Sequence, residues 1–147
     1  MNLEAIFAVC NYGVLPAWAL LAFAPSSRTA QWVVHSVWIP MLLGGVYLAA
    51  LMSGADTPEG AGFGSLHGVM LLFDSPTVAL AGWVHYLAFD LFIGAWEARD
   101  AVRRGIGRAW LAPCLFLTFL AGPLGLLLYL GLRLFLEREP LLEENVR

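Results

Sequence analysis

The sequence predicts an all-α membrane protein: an antiparallel bundle of four transmembrane helices, with a short interfacial or re-entrant segment between helices two and three. Three observations carry that expectation. Of the 147 residues, 60% are hydrophobic and only 13% charged, with mean hydropathy +0.74; an ordinary soluble domain is roughly 45–50% apolar and about 25% charged. The apolar residues gather into four runs, each near the ~20 residues a helix needs to cross a bilayer. Backbone groups in lipid must be satisfied internally, so runs this long are helices, and short connections make successive helices antiparallel. No Ser-rich or charged linker divides the chain, so residues 1–147 are expected to form one membrane domain.

The first run, 5–24, reads AIFAVCNYGVLPAWALLAFA and is closed by Pro25-Ser26-Ser27. No basic region precedes it and no small-residue cleavage site follows, so it is expected to be retained rather than removed as a signal peptide. The second run is 30–52, the third 76–98 and the fourth 110–132, which leaves 133–147 as a tail. Between the second and third lies SGADTPEGAGFGSLHGVMLLFDS, Gly-rich at its start and apolar at its end. Its Leu66–Phe73 portion is too short to span and is expected to lie at the interface or re-enter the membrane. Pro16, Pro40 and Pro123 fall inside apolar runs, where each is expected to free a carbonyl and kink its helix. Gly122, Gly125 and Gly131, around and beyond Pro123, permit close backbone approach.

Charge sets the expected orientation. Arg99, Arg103, Arg104 and Arg108 surround the third connection and Arg28 lies in the first, whereas the second holds Asp56, Glu59 and Asp74 but no Arg. The positive-inside rule then places both Arg-bearing loops in the cytoplasm and both termini outside, in a bacterial inner membrane. Arg133, Arg138 and Arg147 in the tail run against that orientation. A net charge of −3 and few basic residues exclude nucleic acid as a partner; membrane lipid is the partner the composition implies. Cys10 and Cys114 lie in separate apolar runs and read as small packing residues. No cofactor or metal is expected.

A carboxylate at the centre of a membrane helix costs roughly 2.5–3.5 kcal/mol, so the polar residues inside the runs need a reason. Successive helical residues turn by about 100°. Trp83, Asp90 and Glu97, seven apart, therefore share a face of the third helix, with Tyr86 four before Asp90. His85 points about 140° away from Asp90. At about 1.5 Å of rise per residue, Glu97 and His35 lie near the Arg-bearing side. Asp90 is then about 12 Å in, near the level of Thr118, and Asn11 and His85 are about 20 Å in. Together they suggest a polar column.

Most of these groups have an ordinary structural role available. Asn11 and Thr118 can hold helices together. Glu97 and Asp100 can join Arg103 and Arg104 in an interfacial ion-pair cluster, Asp100–Arg104 having the favourable i,i+4 order. His35 suits a hydrated interface, and His67 a solvent-exposed turn. Asp90 has no basic residue one turn away. A buried carboxyl without a partner holds its proton, which makes it a hydrogen-bond donor and a candidate general acid. Intramembrane ionisable residues are functional by default; Asp90 ranks first and His85 second.

The blocks VLPAWALLAFAP (14–25), LAGWVHYLAFDLFIG (80–94) and PCLFLTFLAGPLGLLLYL (113–130) together resemble the abscisic-acid-deficient-four-like family of small integral membrane proteins, over nearly the whole chain. WVHYLAFDLF is the most specific part, and the pattern matches at Trp83, His85, Asp90 and Phe92. Plant members are implicated in making neoxanthin, an allenic xanthophyll derived from violaxanthin, upstream of abscisic acid. No plastid-targeting extension is seen here, which argues against neoxanthin itself as the product.

The resemblance implies a carotenoid or other isoprenoid-lipid enzyme or isomerase. Opening an epoxide to an allene or alkene needs an acid at the oxygen and a base at a nearby carbon. Asp90 is the expected acid and His85 or Glu97 the base. The expected cavity is lined by Trp83, Tyr86, Trp38 and Phe89, with Asn11, Thr118 and His35 as further substrate contacts. The alternative is a non-catalytic membrane subunit that binds a carotenoid or quinone or assists a partner enzyme. Two weaker readings are haem ligation by His35 and His85, whose depths differ by about two and a half turns, and a proton or ion carrier, for which four helices are few unless the protein forms a homo-oligomer.

Overall fold

The structure, a computed structural model, describes residues 2–53, 57–137 and 142. Asp56, Arg138 and Arg147, used in the charge argument, lie outside the described residues, as does most of the tail. Among the described residues no strand forms. The described residues form seven helices: α1 Leu3–Gly13, α2 Leu15–Phe23, α3 Arg28–Val33, α4 Trp38–Met52, α5 Leu66–Phe73, α6 Pro76–Arg103 and α7 Arg108–Glu137. Among the described residues four stretches are long and apolar enough to cross a membrane: Leu3–Phe23, Arg28–Met52, Pro76–Arg103 and Arg108–Glu137.

The prolines act differently from one another. Pro16 has no N–H for the carbonyl four residues back and its ring crowds it, and the first run accordingly breaks at Val14 into α1 and α2. Pro40, expected to kink the second run, sits in the first turn of α4, where a missing N–H costs no helical bond. The second run is interrupted earlier, after α3, where the His35 N–H reaches back to the Ala30 carbonyl at 3.0 Å. Pro76 opens α6 in the position that favours proline. α6 runs past 98 to Arg103 and ends on Gly105, whose φ of +67° suits glycine. There Ile106 N–H bonds the Ala101 carbonyl and Gly105 N–H that of Val102, the two bonds of a Schellman stop.

α7 also exceeds its expected end: residues 133–137, expected as tail, are helical. It is not one straight rod. Ala121 leaves the helical region (φ −159°, ψ 79°) two residues before Pro123, which cannot donate to the Phe119 carbonyl. At Gly125 the space of a side chain is filled by Thr118, including its backbone N and Cα. Residues seven apart in an unbroken helix are about 10 Å apart along the axis. The halves 108–120 and 122–137 are thus packed on each other across the break.

The chain folds as two compact units. The first comprises Met1–Val14 and Trp38–Ala88. Cys10, Leu43, Ala50, Leu80, Ala81 and Val84 are buried in it, and the Phe73 ring occupies the space beside Gly82. Ser65 caps α5 by accepting the Gly68 N–H at 3.0 Å. The second unit comprises Leu15–Val37 and Phe89–Arg147. In it the Trp18 indole lies on Gly94 and meets Phe119 edge-on, 5.4 Å between centroids. Its outward face carries Phe23, Trp32, Phe92, Phe116, Leu127 and Phe135, each more than half exposed, while Asp90, Glu97, Asp100, Thr118 and Arg133 are buried. That polarity is the reverse of a soluble domain.

Candidate functional site

The second unit's interior holds a connected set of polar side chains on α6 and α7. Glu97 is completely buried, and the Thr118 hydroxyl donates to its carboxylate, 2.9 Å from Oε1 and 3.0 Å from Oε2. One turn on, Asp100 accepts from the Tyr129 hydroxyl at 2.8 Å and from Arg104 Nε at 3.1 Å to each oxygen. Arg103 reaches the same carboxylate at 3.3 Å and Arg133 Nε lies 3.6 Å from it. Arg104 also pairs with Glu137. Burial opposes the charge on Arg104, but its bonds to Glu137 and Asp100 outweigh that, and its guanidinium holds its proton more tightly than a free one. The Trp96 ring stands edge-on to Tyr129 at 5.6 Å.

Asp90 lies one heptad before Glu97 on α6, buried, with its carboxyl in the space a side chain at Gly122 would fill. The expected level with Thr118 is therefore not met: Thr118 meets Glu97, a heptad further along α6, and Asp90 meets the break in α7. The cause is the length of α6: it runs to Arg103 rather than 98, which carries Asp90 about 20 Å in, whereas Thr118 is ten residues, about 15 Å, from Arg108. Glu97 also differs from its expected place among the arginines. Arg103 and Arg104 reach back three and four residues, which is Asp100; Glu97 is nearly one further turn inward.

His35 donates from Nε2 to the Pro25 carbonyl at 3.1 Å and receives the Arg99 guanidinium at Nδ1, 3.0 Å. A carbonyl only accepts and a guanidinium only donates, so the ring is the neutral Nε2–H tautomer. No ring nitrogen is left for a haem iron. The other expected contacts lie in the first unit, apart from Phe89, which is 58% exposed in the second. There Trp83 Nε1–H donates to Asn11 Oδ1 at 3.0 Å, and the Trp83 ring stacks on Tyr86 at 5.2 Å. The His85 ring, exposed, lies 5.9 Å from that of Tyr47. Trp38 is 61% exposed. An open cleft of about 410 Å³ runs beside Trp83, lined by Leu3, Phe7, Pro76 and Leu80. In the second unit an apolar groove of about 260 Å³ is lined by Trp18, Ala22, Leu115, Phe116 and Phe119.

The ABA DEFICIENT 4-like family model matches residues 5–129. The chain belongs to this family. No curated protein and no solved structure matches it. The matched region takes in α1 through most of α7 of this family member, including Asp90, Glu97, Asp100, Thr118 and Tyr129, and stops short of Arg133 and Glu137.

Tyr129 and Arg133 are the site residues that sequence reasoning missed. Their signal was present: they are four apart, hence on one helical face, in a stretch otherwise of Leu and Gly. Assigning Arg133 to a tail hid it. Among the described residues no group of three or more His, Cys, Asp or Glu is arranged to hold a metal ion.

Proposed function

We propose that this protein works inside a bacterial inner membrane on an isoprenoid lipid, a carotenoid in the leading case, by acid–base chemistry between Asp90 and Glu97. The observation that carries the proposal is the pair itself. Two carboxyl groups lie a heptad apart, about 10 Å along one face of α6, both buried in a unit whose outer face is apolar. Rearranging an epoxide or an allylic centre needs a proton given and a proton taken. A protonated carboxyl and a carboxylate in one site supply both. Thr118 orients Glu97, which makes it the base in this reading, and Asp90 is the acid. His85, exposed on Tyr47, is not required. The apolar groove at Trp18 and Phe119 would take a hydrocarbon chain, and α5, too short to cross, would lie at the interface.

Expressed in a carotenoid-producing host, Asp90→Asn and Glu97→Gln should each abolish the pigment change that the unaltered protein causes, and His85→Ala should keep it. Retention of the full pigment change by both carboxyl variants would end the proposal. The complete burial of Glu97 under Thr118 favours a second reading, a non-catalytic subunit that binds a carotenoid or quinone or assists a partner enzyme. That protein would carry pigment on purification in mild detergent, and keep its absorption bands after both substitutions.

A further inference from the structure

We infer that α7 is a re-entrant hairpin and not a fourth crossing, so that the chain leaves α7 on the same side as the α6–α7 loop. In a straight helix Glu137 would stand about 44 Å from Arg108. The chain from 104 to 108, even fully extended, covers about 15 Å. Roughly 29 Å would remain for two side chains to bridge, yet Arg104 and Glu137 form an ion pair. Asp100 bonds Tyr129 at 2.8 Å and faces Arg133, whereas Glu97, deeper on α6, bonds Thr118. Both ends of α7 therefore sit beside the end of α6 that carries Arg103 and Arg104, and the break at Ala121 lies inward, against Asp90. Near the tip the two halves approach so closely that a side chain at Gly125 would overlap Thr118.

Lengths agree with this. The halves, 108–120 and 122–137, are about 20 and 24 Å long, short of the ~30 Å hydrocarbon core. Asp90 is 13 residues from Arg103, about 20 Å, the same depth as the tip. Non-helical backbone at membrane depth is tolerated where protein covers it, and here Gly122 is buried under the Asp90 carboxyl. Charge gives an independent argument. With four crossings Arg133 falls toward the side opposite the Arg-bearing loop; with the hairpin it falls on the same side, and the positive-inside rule holds for it. The C-terminal end is then cytoplasmic, where four crossings would place it outside.

Two measurements on the full chain test this, neither depending on any activity. Green fluorescent protein, bright only in the cytoplasm, and alkaline phosphatase, active only outside, are fused after Arg147 or inserted between Gly105 and Gly107. Both sites should report the cytoplasm; opposite compartments would overturn the inference. Spin labels at Ala109→Cys and Leu136→Cys, with Cys10 and Cys114 replaced by Ala, should lie within about 25 Å, as packed helices 8–10 Å apart with label arms require. A straight α7 would put them about 40 Å apart, which would equally overturn it.

Discussion

Asp100 is where the second unit's charges meet: one buried carboxylate takes the Tyr129 hydroxyl and Arg104, with Arg103 and Arg133 beside it. Removing a partner from a buried ion pair leaves charge uncompensated and typically costs about 3–5 kcal/mol. Asp100→Ala takes that carboxylate from Arg103, Arg104 and Arg133 and should fall within that range. Tyr129→Phe removes one hydrogen bond to a charged group, which is about 1.5–3 kcal/mol, and leaves the ring contact with Trp96 in place. Thermal unfolding in mild detergent should therefore rank Asp100→Ala well below Tyr129→Phe. Equal losses would mean that the cluster contributes by packing alone. Both lie outside the proposed acid–base pair, so a loss of pigment change by either should follow the loss of folded protein.

At the scale of the helices, glycine and proline decide what apolar periodicity cannot. Gly125 and Gly131 both lie in the second half of α7, yet a methyl at Gly125 would overlap Thr118 backbone and one at Gly131 would meet nothing. Backbone cannot rotate aside as a side chain can, so Gly125→Ala should cost at least the 1–3 kcal/mol typical of overpacking, and Gly131→Ala should be neutral or stabilising by up to about 1 kcal/mol. If melting temperatures in detergent do not separate the two, the halves of α7 are not packed at Thr118. The same helix shows why the sequence could be read only in part. The four apolar runs and the short α5 followed from composition and length, which fix what can be in lipid. A kink at Pro123 was expected, but the fold-back of α7 was not, because a proline marks where a helix breaks and not how its halves then pack. Nor was the Glu97–Thr118 pairing, since register between helices depends on where a helix ends rather than on residue type. Asp90 was legible as costly from its neighbours on α6. Its partner surface was not, because a glycine offers no side chain to match.

Both units expose large apolar side chains and the second buries its charges, and that inversion makes a prediction no soluble fold would share. Phe92 on α6 and Leu127 on α7 are 52% and 68% exposed, and in water an arginine at either position would be close to neutral, as most surface substitutions are. In lipid the cost depends on depth. Phe92 is 11 residues from Arg103, about 17 Å along α6, where insertion scales assign arginine roughly 2.5–3.5 kcal/mol, or about two orders of magnitude in the insertion equilibrium. Leu127, five residues past Gly122, lies about 8 Å back from the tip and so about 12 Å from the Arg-bearing side, nearly as deep as Phe92, and with the hairpin its arginine should cost nearly as much. Phe92→Arg and Leu127→Arg should therefore both deplete the protein from the membrane fraction, measured as the carbonate-resistant share of expressed protein. A straight, fully crossing α7 would carry residue 127 toward the opposite interface, about 29 Å from Arg108, and its arginine would snorkel there instead. Labelling Leu127→Cys with a membrane-impermeant thiol reagent from each side separates the two cases. Faster labelling from the cytoplasmic side fits the apolar exterior together with the hairpin; faster labelling from outside keeps the exterior and removes the hairpin.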